Sequence, residues 1–234
     1  MNESSKIYLY RLKSNLAEYQ EQEKAKWEAL PEEEKQKILA ERELLEKQKE
    51  FDRQAEERRK QIDSWKHRGV TKRYFEAKWN NFIADTPEKE KAINAAKTAW
   101  SKNLFFTGSN GTGKTHLAMC LAKDGAIYRR LPDIFREVRS SYSLHGGDSE
   151  EEVLDYCGAC ELLIIDEIGR QKFSDFEMNL FFDIIDRRWN NVLPTTIITN
   201  LTWEDFTELY GTAILDRLRP VEVRFDWESM RGKA

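Results

Sequence analysis

Gly108-Ser109-Asn110-Gly111-Thr112-Gly113-Lys114-Thr115 matches G-x-x-x-x-G-K-T in full, and its reading decides the fold. Glycines let backbone N–H groups approach phosphate oxygens, and a helix starting directly after them turns the positive end of its dipole toward the same anion. In that pattern Lys114 supplies a point charge to the β- and γ-phosphates of ATP, and the Thr115 hydroxyl ligates Mg2+. So short a motif arises by chance, so its flanks must agree with it. They do. Leu104-Phe105-Phe106-Thr107 is a short apolar strand entering the loop, and His116-Leu117-Ala118-Met119 is a helix-forming run leaving it.

Further along, Leu162-Leu163-Ile164-Ile165-Asp166-Glu167 reads as a buried strand that delivers two carboxylates at its carboxyl end, where α/β sheets place ligands. Asp166 is expected to hold the Mg2+ shell. Glu167 is expected to orient and deprotonate the attacking water, a role a hydrolase needs and a simple nucleotide binder does not. Asn200 closes another apolar strand, Thr196-Ile197-Ile198-Thr199, so its amide should reach the same rim. Two readings fit Asn200: a group that positions the water, or a residue favoured for the turn.

Ala126-Ile127-Tyr128 and Val221-Glu222-Val223-Arg224-Phe225 complete a set of five strands. Helical stretches separate them, over 113–123, 133–142, 149–156, 175–189 and 203–218. Thr86-Pro87-Glu88 opens an earlier helix, with Thr86 as cap, running to about Trp100. Alternating strands and helices predict an α/β fold with a five-stranded parallel sheet. No internal repeat is visible.

Residues 1–67 differ in kind. Glu, Lys, Arg and Gln dominate, and Leu12, Leu16 and Tyr19 share one helical face. Pro31 followed by Glu32, Glu33 and Glu34 marks a fresh helix start, with carboxylates at the dipole's positive end. Leu44, Phe51, Ala55, Ile62 and Trp65 keep nearly heptad spacing, interrupted by Gln48 and Arg58. A solvated helix laced with ion pairs is one reading. The other is a partly coiled-coil-like docking arm, because Trp27, Leu30, Phe51 and Trp65 are costly on a purely solvated surface. The expected division is an arm over 1–67 and a nucleotide-binding domain over 68–234.

The 234 residues carry a net charge of −4, and mean hydropathy is −0.74. No apolar run approaches the length of a membrane helix, and Met1-Asn2-Glu3-Ser4-Ser5-Lys6 opens with no apolar signal core. The expected location is cytoplasmic, with no membrane partner. An acidic chain meets nucleic acid through a local patch, not an overall coat. Cys157 and Cys160 form a C-x-x-C without a second cysteine pair, and His67, His116 and His145 show no zinc-finger spacing. Metal or redox chemistry and simple packing before a buried strand both fit the pair.

Gly111-Thr112-Gly113-Lys114-Thr115-His116-Leu117-Ala118, Ile165-Asp166-Glu167-Ile168-Gly169, Ile198-Thr199-Asn200 and Leu215-Asp216-Arg217-Leu218 together resemble the DnaC/IstB group of AAA+ ATPases. Gly69-Val70-Thr71-Lys72-Arg73-Tyr74 and Trp79-Asn80-Asn81-Phe82 resemble the lead-in of the helicase loaders in that group. The resemblance covers residue 69 onward. It implies an AAA+ P-loop domain with little or no C-terminal lid, and it puts His116 beside the cradle residues at the nucleotide. It implies that Asn200 stands at the sensor-1 position and that Arg231 falls near sensor 2. Arg217 falls on the arginine finger, which acts on ATP held by a neighbouring subunit; an ion pair with Asp216 or Glu208 is the competing reading. In similar loaders the helix after the second strand faces a DNA channel. Arg139 and Tyr142, with Ser174 and Phe176, fall where single-stranded DNA contacts are expected, since charge plus rings is what such strands need. Ordinary amphipathic packing is the alternative.

The function expected on this resemblance is an ATP-dependent loader. Its arm would grip a replicative helicase hexamer while ATP-bound modules assemble side by side on single-stranded DNA. A transposition helper of the IstB type is the rival, and a non-enzymatic adaptor clipped by nucleotide is the third reading. An intact Glu167 weighs against the last.

Overall fold

Successive side chains of a strand point to opposite faces, so a sheet covered on both sides needs unbroken apolar runs. The computed structural model describes residues 18–22, 24–98, 101–142, 148–169 and 172–231. Its runs become β1 (Leu104–Gly108), β2 (Ile127–Arg130), β3 (Leu163–Ile168), β4 (Thr195–Thr199) and β5 (Val221–Phe225). They lie in the order β2-β3-β4-β1-β5, and every pairing is parallel. The five-stranded parallel sheet expected from sequence is therefore present.

Leu104, Phe106, Ile164, Ile198 and Val223 pack on one face. There they meet α2 (Pro87–Lys97), α3 (Lys114–Lys123) and Trp65 at the end of α1 (Glu32–His67). Phe105, Leu163, Ile165 and Ile197 pack on the other face. That side is covered by α4 (Leu131–Ser141), α5 (Glu150–Ala159), α6 (Asp175–Asn190), α7 (Trp203–Tyr210) and α8 (Thr212–Leu218).

Local chemistry sets the boundaries. Thr86 caps α2 by accepting from the Lys89 N–H, with Pro87 in the first turn. Ser149 with Glu152 and Ser174 with Glu177 form reciprocal capping boxes at α5 and α6. Some expected limits move. The helix expected over 203–218 is two helices, because Gly211 adopts φ +83 and its N–H closes α7 on the Thr207 carbonyl. α2 ends at Lys97, where the Thr98 hydroxyl turns back to the Ala95 carbonyl. α4 starts at Leu131, two residues before the expected Asp133. Leu12, Leu16, Trp100 and His145 lie outside the described residues.

The cysteine pair frames a buried cation. Arg188 of α6 is 1% exposed. It donates to the carbonyls of Cys157 and Cys160, to the Thr195 hydroxyl and to the Pro194 carbonyl. Burial lowers the pKa of this guanidinium and pushes the Cys157 thiol up to about 12. A thiol so poised stays protonated and is a poor nucleophile.

The chain divides into two units, residues 1–60 and 61–234, with the last seven residues of α1 in the second. In the first unit, residues 18–22, 24–29 and 32–60 are helical. Pro31 stands just ahead of α1, its carbonyl accepting from Glu34 and Lys35, and three glutamates fill the first turn. Pairs Lys35–Glu32, Lys47–Glu43, Arg53–Glu50 and Lys60–Glu56 run along it. Leu44 and Phe51 are 69% and 67% exposed. The Arg42 guanidinium lies over the Trp27 ring at 5.6 Å.

Candidate functional site

β1 carries the chain to Gly108, and the glycines then take backbone angles that side chains avoid: φ is +84 at Gly111 and +98 at Gly113. Space enforces the choice at Gly113, where an added Cβ would sit 2.4 Å from the Phe82 ring. α3 begins directly afterwards, so its first N–H groups face the loop. Lys114 folds back and its ammonium donates to the Gly108 and Ser109 carbonyls at 2.6 and 2.7 Å. Burial lowers its pKa to about 8; nearby Asp166 opposes that shift and Arg231 adds to it.

β3 delivers the two acids into different environments. Asp166 is buried and held by three donors. Its Oδ2 accepts from the Thr115 hydroxyl at 3.1 Å and from the Tyr128 phenol at 2.8 Å, and its Oδ1 accepts from the Glu167 N–H at 2.6 Å. Glu167 adopts φ +65, a left-handed conformation that costs a non-glycine residue about 1–3 kcal/mol. The β3–β4 register shifts between Ile165 and Ile168, so the pairing with β4 skips Glu167. The Arg130 guanidinium stands 3.8 Å from its carboxylate. On β4, the Thr199 hydroxyl donates to the Ile168 carbonyl and accepts from the Leu201 N–H. These bonds place Asn200, whose amide reaches Asn110 in the loop at 3.1 Å.

A cavity of about 510 Å³ opens between these parts. Of the residues singled out from sequence, Asn110 to His116, Asp166, Glu167, Asn200 and Arg231 all line it, while Gly108 and Ser109 hold the lysine behind it. His116 contacts the Tyr74 and Phe82 rings, with Nε2 3.3 Å from the Lys78 carbonyl, and burial lowers its pKa. Arg231 arrives because the segment after β5 folds over the loop. The Met230 N–H donates to the Gly111 carbonyl and the Trp227 indole donates to that of Thr112.

Other residues lie elsewhere. Arg217, on α8, is outside the cavity. It pairs with Asp186 of α6, not with Asp216 or Glu208, and lies over the Phe182 ring at 4.5 Å. The competing ion-pair reading named Asp216 or Glu208; packing of α8 on α6 supplies a different partner. Arg139, Tyr142, Ser174 and Phe176 do come together, where α4 ends and α6 begins. Arg139 pairs with Glu177, which also caps α6 through Ser174. The Tyr142 and Phe176 rings are 6.4 Å apart, 64% and 40% exposed. Arg130 and Arg136 both pair with Asp133, and Arg129 lies over the Tyr156 ring.

Sequence reading missed the contacts of Tyr128 and Arg130 with the two acids, and the cavity wall made by Thr71, Arg73, Tyr74, Met119 and Met230. Alternation on β2 was an available signal: Tyr128 and Arg130 share one face, and the register sets Arg130 opposite Asp166. Nothing in the sequence alone said that β2 is the neighbour of β3.

A hydroxyl and a carboxylate converging beside a glycine loop form an all-oxygen donor set, the kind that suits Mg2+ bound jointly by protein and phosphates. Thr115 and Asp166 thus fit that ion. No grouping of three or more His, Cys, Asp or Glu suited to a metal occurs among the described residues.

Strand order, glycine loop and paired acids at one rim define a P-loop nucleotide-binding domain of the AAA+ type. The chain belongs to the family described as IstB-like ATP binding protein, whose profile matches residues 6–234. It is similar to the replicative helicase loader DnaC of Escherichia coli (strain K12), 33% identical over 140 residues. That match covers 56% of this chain and 57% of the loader, little more than half its length. The replicative helicase loader DnaC of Buchnera aphidicola subsp. Baizongia pistaciae (strain Bp) is 27% identical over 180 residues, covering 70% of this chain and 73% of that protein. Among solved structures, DnaI superposes with a TM-score of 0.57 at 21% identity, over 70% of this chain and 99% of that one. The likeness is one of fold.

Proposed function

We propose that this chain is a magnesium-dependent ATPase that serves as a loader for a replicative DNA helicase. The observation carrying this is the arrangement of Lys114, Thr115, Asp166, Glu167 and Asn200 around one cavity, in a chain whose similar proteins include helicase loaders.

The residues divide the work. Loop N–H groups and the Lys114 ammonium bind the β- and γ-phosphates, exchanging the Gly108 and Ser109 carbonyls for phosphate oxygens. Thr115 and Asp166 would hold a magnesium ion, which would supply charge neutralisation at the phosphates. Glu167 takes the proton of the attacking water, and Asn200 fixes that water between Glu167 and the γ-phosphate. Arg130 holds Glu167 from the other side. Arg231 lies over the phosphates from the C-terminal segment. Arg217, remote from its own cavity, acts as a finger on the neighbouring subunit's ATP, so that turnover depends on assembly.

The exposed apolar residues of the arm dock on the helicase, and the Arg139–Tyr142–Ser174–Phe176 surface meets single-stranded DNA. There Arg139 trades Glu177 for a phosphate while the two rings stack on bases. The test is co-elution of the full chain with its own organism's helicase hexamer in ATP. Separate peaks would overturn the loader reading.

The family description favours a second reading, a transposition helper of the IstB type. It requires duplex DNA binding and stimulation of a transposase, both measurable with the same preparation.

A further inference from the structure

Asp166 is held by a residue that no motif includes. Tyr128 lies on β2, paired with β3 so that it stands opposite Ile164, and its side chain reaches along the rim to Asp166 Oδ2 at 2.8 Å. That oxygen also accepts from Thr115, so two hydroxyls fix one carboxylate oxygen while the Glu167 N–H fixes the other. The phenol is buried, and its hydrogen is directed at the carboxylate. Its backbone is anchored too. The Tyr128 N–H donates to the Arg68 carbonyl at 2.8 Å, and a Cβ at Gly69 would stand 1.9 Å from the Tyr128 carbonyl. β2 has few ways to shift while that approach holds.

We infer that Tyr128 is a positioning residue for the metal: its phenol sets the rotation of the Asp166 carboxylate and so determines how tightly magnesium binds with nucleotide. The inference rests on the ATP-site reading above. Outer-shell donors that orient a ligand typically govern metal affinity or activity by about 10–100-fold, and a carboxylate free to rotate presents its oxygens less often in the binding geometry. A phenol placed only to satisfy its own hydroxyl would support folding but leave the metal response alone.

The experiment uses the full chain and a fluorescent ATP analogue, titrated with and without magnesium. Tyr128→Phe is expected to keep metal-free affinity within about twofold and to raise the magnesium concentration for half-maximal response by about tenfold or more. Added to Asp166→Asn, the same substitution should have no further effect on the magnesium response. An unchanged magnesium requirement in Tyr128→Phe, or an equal loss of metal-free affinity, overturns the inference. Tyr128→His also removes the phenol and carries the same expectation if the phenylalanine variant does not fold. A wild-type chain without affinity for the analogue would overturn the ATP reading and this one together, whereas a normal wild-type response with an unaltered variant overturns this one alone.

Discussion

The helix of residues 32–60 and the sheet domain that follows it in sequence are built on opposite principles. Along the helix nearly every polar contact joins residues three or four apart, and the large apolar side chains Leu44 and Phe51 lie open. In the domain the deciding contacts join distant residues: Thr115 with Asp166, Asn110 with Asn200, Thr112 with Trp227. Exposed ion pairs at helical spacing contribute only a few tenths of a kcal/mol each. The first region therefore gains little from its own contacts and has surface to offer a partner. The second is committed to itself and to what fills its cavity.

Substitutions can break that contrast. The largest effect is expected at Arg217. Replacing it with Ala should lower ATP turnover by about a thousandfold while nucleotide affinity holds. Mixing that variant with Glu167→Gln should restore turnover if the finger acts between subunits; failure to restore it would place the effect within one chain. Phe106→Ala, in a side chain with no exposed surface, should cost about 3–5 kcal/mol in denaturant unfolding.

Acidity probes the cradle. Lys114 has its pKa lowered to about 8, and phosphates would raise it again, so binding takes up a proton at higher pH. Affinity should be fully present below pH 8 and weaken as pH rises above it, whereas a Lys114→Arg variant should lose that slope. Calorimetric titration at three pH values decides this. Thr86→Ala, which removes the cap of α2, should cost about 1 kcal/mol. The smallest effect belongs to the arm: Phe51→Ala should change unfolding free energy by less than about 0.5 kcal/mol, yet weaken co-elution with the helicase. A large stability loss there would show that Phe51 serves the fold.

Legibility followed the same line. The glycine loop, the buried β3 run and the acids at its end are local patterns with one physical use, and they sufficed for the sheet and most of the cavity. Gly211 was harder, since a glycine inside a helical stretch is sometimes tolerated, and only its φ of +83 reveals the break. Arg217 was picked out by resemblance, but its Asp186 partner depended on how α8 meets α6. Alternation on β2 put Tyr128 and Arg130 on one face, but what that face meets was hidden for a stricter reason. Strand order sets their neighbours, and strand order is a property of the whole chain.

That order has a cost during synthesis. β1, which feeds the cradle, has β4 and β5 as its two neighbours, and both are made long after it. Until Thr195 has been translated, the apolar segment Leu104–Phe106 has no strand to pair with on either edge, and such exposed edges invite association with other chains. The nucleotide supplies no such edge. Newly made chains should instead depend on chaperones until the last strand arrives.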